Sequence, residues 1–213
     1  MKKLFVLAIA ALMSIGASAQ LITSNTITER KGNNYTRIDL GYNSVNFNDD
    51  VDVTMSGVSL EWIKGISISS SMPLYIETGI GALYSWKSKD DVDYRFASLQ
   101  VPVNLVYKYE LSDGIKIAPY AGLYLRGNLL AESEYEGDKS NWFDDFDEDG
   151  FEAKRFGFGW QIGVGVDIKK FYVGISYGSD FTKLIDIDEE YRGDRYKGES
   201  SIGTFTAKIG FNF

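Results

Sequence analysis

The sequence predicts an all-β fold: an eight-stranded antiparallel up-and-down transmembrane β-barrel. Three observations predict it. Two-residue alternation of apolar and polar side chains recurs in eight segments, the period of a strand with two unlike faces. The chain opens with an export signature: Lys2 and Lys3, an apolar run over 4–13, and the small-residue site Ala17-Ser18-Ala19. The connections at 65–72, 110–115 and 169–170 are short, whereas those on the other rim include long ones at 87–93, 130–153 and 182–201. Short turns on one rim and longer loops on the other suit a barrel in an outer membrane.

Residues 1–19 read as a signal peptide, since a spanning helix needs roughly 20 apolar residues. Residues 20–34 are polar and patternless, a loose lead-in, and the barrel takes 35–213. The first strand, 35–45, sets Ile38, Leu40 and Tyr42 against Arg37, Asp39, Gly41 and Asn43. The second, 54–64, sets Val58, Leu60 and Trp62 against Gly57, Ser59 and Glu61. The third, 74–86, sets Leu74, Ile76, Ile80, Ala82, Tyr84 and Trp86 against Tyr75, Glu77, Gly79, Gly81 and Ser85. The fourth, 94–109, turns Leu99, Val101, Val103, Leu105 and Tyr107 outward and Ser98, Gln100, Pro102 and Asn104 inward. Pro102 removes a ladder donor, which points to a bulge there. The fifth, 116–129, opposes Ile117, Ala121, Leu123 and Leu125 to Tyr120, Gly122, Tyr124 and Arg126. The sixth, 154–168, is the most regular: Phe156, Phe158, Trp160, Ile162, Val164, Val166 and Ile168 alternate with Gly157, Gly159, Gln161, Gly163, Gly165 and Asp167. The seventh, 171–181, opposes Phe171, Val173, Ile175 and Tyr177 to Gly174, Ser176 and Gly178. In the eighth, 202–213, Phe205, Ala207, Ile209, Phe211 and Phe213 oppose Thr206, Lys208, Gly210 and Asn212.

Composition narrows the function. The net charge is −8, and phosphate backbones are bound by Lys and Arg, so no nucleic-acid partner is expected. Cys is absent, which excludes a disulfide framework and thiol chemistry. The structural rival is a soluble barrel of lipocalin type, with the apolar face turned inward around a ligand.

The segment Leu99-Gln100-Val101-Pro102-Val103-Asn104-Leu105-Val106-Tyr107-Lys108-Tyr109 resembles a strand motif of the PorT-like outer membrane β-barrel family of Bacteroidetes, itself similar to small OmpA- and OmpX-like barrels. Ala118-Pro119-Tyr120-Ala121-Gly122-Leu123-Tyr124-Leu125 is similar to that family's next strand. Gly163-Val164-Gly165-Val166-Asp167 and Tyr177-Gly178 fit its sixth and seventh strands, so the resemblance covers 35–213. It implies the outer membrane of a Gram-negative bacterium, with periplasmic termini. These motifs describe strands and say little of activity; one branch of the family implies an accessory of a secretion or assembly system. The terminal Phe213 also looks like the signal read by barrel-assembly machinery.

Inward charges are the chief candidate site: Arg37, Asp39, Glu61, Glu77, Arg126, Asp167 and Lys208. Eight strands leave an interior that side chains fill, and an unpaired charge there costs several kcal/mol. The expected arrangement is a network of ion pairs that plugs the lumen, with Glu61 and Glu77 sharing Arg37 or Arg126. The alternative is a narrow solute pore. Paired carboxylates also do acid–base chemistry, but known outer-membrane barrel enzymes resemble one another in using an active-site His. This chain has no His, so no enzymatic activity is expected.

The connection 130–153 is acidic. Asp145-x-Asp147-x-Asp149-Gly150 matches the first half of a calcium loop. The position for the bidentate Glu falls on Phe156, so a solvated acidic loop is favoured over a weak Ca²⁺ site, and no other cofactor is expected. Tyr135, Trp142, Phe143, Phe146 and Phe151 sit among these acids. They can anchor an extracellular or envelope protein or glycan, pack on their own loop, or lie at the lipid interface. The outward aromatics Tyr42, Trp62, Tyr84, Trp86, Tyr107, Trp160, Tyr177 and Phe213 are expected at headgroup level in outer membrane lipid. The resulting expectation is a small barrel with a structural or interaction role that displays acidic loops.

Overall fold

Alternating faces and glycine-rich segments produce strands that close on themselves. The computed structural model describes residues 34–49, 53–69, 71–89, 91–143, 152–191 and 194–213. The signal peptide and the lead-in up to residue 33 lie outside them. Eight strands form the barrel: β1 (Tyr35–Asp49), β2 (Val53–Ser67), β3 (Leu74–Lys89), β4 (Val92–Tyr107), β6 (Ile115–Tyr135), β9 (Phe156–Ile168), β10 (Phe171–Asp180) and β12 (Asp194–Asn212). Four shorter strands accompany them: β5 (Tyr109–Ser112), β7 (Asp138–Asn141), β8 (Glu152–Ala153) and β11 (Ile185–Tyr191). Each barrel strand pairs antiparallel with the next in chain order, and β12 pairs with β1 to close the ring.

The register fixes the shape. Pairing leads from Thr36 to Lys64, Thr78, Val103, Leu123, Trp160, Ser179, Gly203 and back to β1 at Asn46, ten residues from the start. That stagger tilts eight strands by roughly 40° and leaves a bore just wide enough for side chains to fill.

The facing is as the alternation predicts over most of the wall. Leu40, Ile162 and Ile209 are 57%, 51% and 60% exposed, whereas Arg37 and Asp39 are 1% and 0%. Apolar side chains thus form the outer surface and charged ones the interior, opposite to a lipocalin. Some outer-face aromatics meet near the two ends, while Tyr177 and Phe205 lie level with Ile162. Tyr84 stacks on Trp86 and Phe158 meets Phe181 toward one end; Phe171, Phe211 and Phe213 meet at the end that carries both termini. Trp160 is half-buried beside Tyr177.

Four expectations need correction, all bearing on strand ends. The segment 87–93 is no loop, because β3 and β4 run on until Lys89 pairs with Val92. The connection 130–153 begins as strand: β6 reaches Tyr135 and folds back through β7. The connection 182–201 is largely the β11–β12 hairpin. The fourth strand stops at Tyr107, and β5 makes a separate hairpin with β6. The bulge is also misplaced. No register shift falls at Pro102, which pairs with Tyr124; the shift lies between Ala97 and Ser98, opposite Leu130 and Asn128, so Leu129 is the extra residue.

The long strands explain these differences. A membrane-crossing strand needs about 9–11 residues, yet β1 has 15, β6 has 21 and β12 has 19. Away from the termini β1, β2 and β4 keep their pleat, but the two faces exchange polarity. On β1, Ile38, Leu40 and Tyr42 face out, but so do Ser44 and Asn46, while Val45 and Phe47 turn in. Thr54 and Met55 on β2, and Arg95 and Phe96 on β4, repeat the exchange. The Leu129 bulge does it for β6, bringing Ala131 inward and pairing Glu132 with Arg95 outside at 3.0 Å. The inward side chains form an apolar cluster of Val45, Phe47, Met55, Phe96, Ala131, Trp142, Phe143, Leu184 and Ile202 inside the far mouth. The charged interior expected from the alternation therefore gives way to an apolar one at the far mouth.

Candidate functional site

The site is the lumen, built in two tiers below the apolar cluster. In the tier near the termini, strand geometry places Arg37 and Asp39 two residues apart on β1, so both point inward. Arg37 Nε donates to Asp39 Oδ1 and Oδ2 at 2.8 and 2.9 Å. Its Nη1 and Nη2 donate to Glu77 Oε1 and Oε2 at 2.8 and 3.2 Å. The Tyr35 hydroxyl also donates to Glu77. Beside them Lys108 Nζ donates to Asp167 Oδ2 at 2.8 Å and lies over the Tyr35 ring at 3.5 Å, and Asn212 Nδ2 donates to Asp167 Oδ1 at 2.9 Å. Lys208 Nζ donates to Glu61 Oε2 at 2.9 Å. One guanidinium thus answers two carboxylates, and two lysines answer one each.

The glycines of β9 and β10 make room for this. Tyr172 lies across Gly165 and Gly174; a Cβ on Gly174 would sit 2.5 Å from its hydroxyl, and one on Gly165 would run into the ring. Tyr120 and Tyr124 approach Gly163 and Gly159 in the same way.

The upper tier is looser. Arg126 Nη1 is 3.4 Å from Asp180 Oδ2, and its Nη2 is 3.3 Å from the Tyr124 hydroxyl and 3.5 Å from Thr204 Oγ1. The Tyr124 hydroxyl donates to Asp180 Oδ1 at 2.5 Å. Between Arg126 and the Lys208–Glu61 pair is a polar chamber of about 30 Å³, lined by Asn43, Ser59, Gln100, Gln161 and Thr206 among others.

All seven sequence-predicted charges, Arg37, Asp39, Glu61, Glu77, Arg126, Asp167 and Lys208, face the lumen and have ionic or hydrogen-bonded partners. The pairing differs in one respect: Glu77 does take Arg37, but Glu61 takes Lys208 and shares neither arginine. Two members were missed. Lys108 has the inward parity of Asn104, and Asp180 that of Gly178; extending the two-residue period by two steps finds the first and by one step the second. Asp145, Asp147 and Asp149 lie outside the described residues, as do Phe146 and Phe151. Among the described residues no three His, Cys, Asp or Glu side chains gather as metal ligands. Of the loop aromatics, Trp142 and Phe143 are buried in the apolar cluster, and Tyr135 is exposed.

Solved structures of outer-membrane proteins resemble this fold at low identity. Neisserial surface protein A is 14% identical with a TM-score of 0.49, over 86% of this chain and 98% of its own. Ail of Yersinia pestis, solved with the heparin analogue sucrose octasulfate, is 13% identical with a TM-score of 0.47, over 84% and 99%. The outer membrane enzyme PagL is 14% identical with a TM-score of 0.49, over 81% and 98%. No curated protein matches the chain. The family model of the outer membrane protein beta-barrel domain matches residues 5–213, nearly the whole chain, and the closed ring of eight antiparallel strands agrees with it: the protein belongs to that outer-membrane β-barrel family.

Proposed function

We propose that this outer-membrane barrel is a closed, non-conducting and non-enzymatic anchor that holds the β6–β7 and β11–β12 hairpins clear of the membrane for an extracellular or envelope partner. On this reading the chain is exported by its N-terminal signal, both termini lie in the periplasm, and the face-exchanged ends of the strands stand outside the cell. The observation that carries it is double closure: the Arg37, Lys108 and Lys208 ion pairs fill the lumen near the termini, and the apolar cluster around Phe47 and Trp142 fills the far mouth. Breaking the ion pairs and the apolar cluster at once would strand buried charges and expose a core, so opening is unfavourable. Phe213 serves as the assembly signal in the same reading. Planar-bilayer recording tests it: the purified barrel should insert silently, and stepwise openings in the wild type would overturn it.

A narrow pore is the second reading, favoured by the polar mid-lumen chamber. It predicts stepwise conductance that rises when Trp142 and Phe143 are both replaced by Ala. An accessory role in secretion or assembly rests on the likeness of 99–109 to the PorT-like strand. Cross-linking from the two hairpins in native membranes would capture a secretion component.

A further inference from the structure

We propose that the mid-lumen chamber is a binding site for one small monovalent anion of halide size, held by Arg126, Asn43 and Ser59. The contrast between the two lumen arginines points to it. Arg37 uses Nε and both terminal nitrogens on carboxylates at 2.8–3.2 Å. Arg126, equally buried at 2% exposure, makes contacts of 3.3–3.5 Å through its terminal nitrogens, and its Nε has no partner among the described residues. Among the described residues Asn43 Nδ2 and Ser59 Oγ also lack partners, on residues 1% and 6% exposed. All three residues line the same chamber.

Arg126 Nε and Asn43 Nδ2 are donors only, and the Ser59 hydroxyl can donate as well as accept. A halide accepts several hydrogen bonds at once, whereas a single water accepts two and must find acceptors for its own protons. Of the carboxylates nearby, Asp180 binds Tyr124 at 2.5 Å, and Glu61, which also lines the chamber, gives Oε2 to Lys208 at 2.9 Å. Buried cations in a low-dielectric interior bind anions strongly, and among the described lumen cations Arg126 has the longest ionic contact, 3.4 Å to Asp180. The open space, about 30 Å³, admits one or two water-sized species. With both tiers closed, the ion is taken up as the barrel folds. This site goes beyond the anchor reading and stands whether or not the barrel conducts.

The test is to refold the protein in sodium bromide, crystallise it and collect data at the bromine edge. One anomalous peak is expected within hydrogen-bond distance of Arg126 Nε. In solution, the melting temperature of protein refolded in bromide should exceed that in gluconate at equal ionic strength by a few degrees, as for any ligand bound only to the folded state. Arg126→Met should abolish the difference. Ser59→Ala, which leaves the guanidinium and the wall in place, should reduce it, and serves if Arg126→Met does not fold. No anomalous peak and equal melting in the two salts would overturn the proposal and leave water as the occupant.

Discussion

The guanidinium of Arg37 lies against the ring of Tyr172, its central carbon 3.8 Å from the ring centroid, while its edge nitrogens bind Asp39 and Glu77. Face and edge of one cation are both used. Arg is suited to this because its fork matches carboxylates and its plane stacks on an aromatic. The ring in turn rests where Gly165 and Gly174 leave no side chain, so a glycine pair in the wall positions the central charge of the lumen.

Replacing Arg37 by Met should therefore destabilise the barrel by about 3–5 kcal/mol, because two buried carboxylates lose their cation. Urea unfolding of the refolded protein in lipid vesicles measures it. Adding Asp39→Leu and Glu77→Leu should recover most of the loss. A triple variant no better than the single one would mean that packing, rather than uncompensated charge, sets the cost.

Gly165→Val should drive the Tyr172 ring off the wall and away from Arg37. Overpacking of this kind costs typically 1–3 kcal/mol. Near-ultraviolet circular dichroism should change with it, since the ring leaves a fixed environment. An unaltered spectrum with unaltered stability would refute the glycine-cradle account.

Much of this was legible in the sequence. The two-residue period identified the inward face of every strand, because a pleat leaves no other choice. Which carboxylate meets which cation was not legible: Glu61 and Glu77 are equally inward, and only the ten-residue stagger brings Lys208 to one and Arg37 to the other. Strand ends were misread for a different reason. Past Tyr42 and before Ser56 the faces trade polarity, so Val45-Asn46-Phe47 and Thr54-Met55 look like the end of a lipid-facing pattern, although the backbone ladder continues. Leu129 hides the same trade on β6, since one extra residue shifts the phase.

The exchange of faces separates two substitutions that look alike on an exposure map. Ile162→Arg, on the outer face at mid-wall and 51% exposed, should cost roughly 2–4 kcal/mol in a bilayer. Thr54→Arg, also outward and exposed on the far side of the exchange, should change stability by no more than about 0.5 kcal/mol, as on a water-facing surface. Equal penalties at both positions would place the far end of β2 in lipid and erase the boundary inferred from the polarity pattern.

The far mouth should behave as the core of a water-soluble domain. Phe47 is 2% exposed and meets Phe96 and Trp142 edge-on, with ring centroids 5.7 and 6.0 Å away. Phe47→Ala should cost about 3–5 kcal/mol by opening a cavity there. The loss should be local: the charged tier near the termini shares no side chain with this cluster, and distant sites act independently. Limited proteolysis should then cut the 142–155 segment faster in the variant, while the membrane-embedded wall keeps its shift in gel mobility between unheated and boiled samples. Loss of that shift together with the faster cutting would show one cooperative unit, with the apolar cluster supporting the whole barrel rather than its mouth alone.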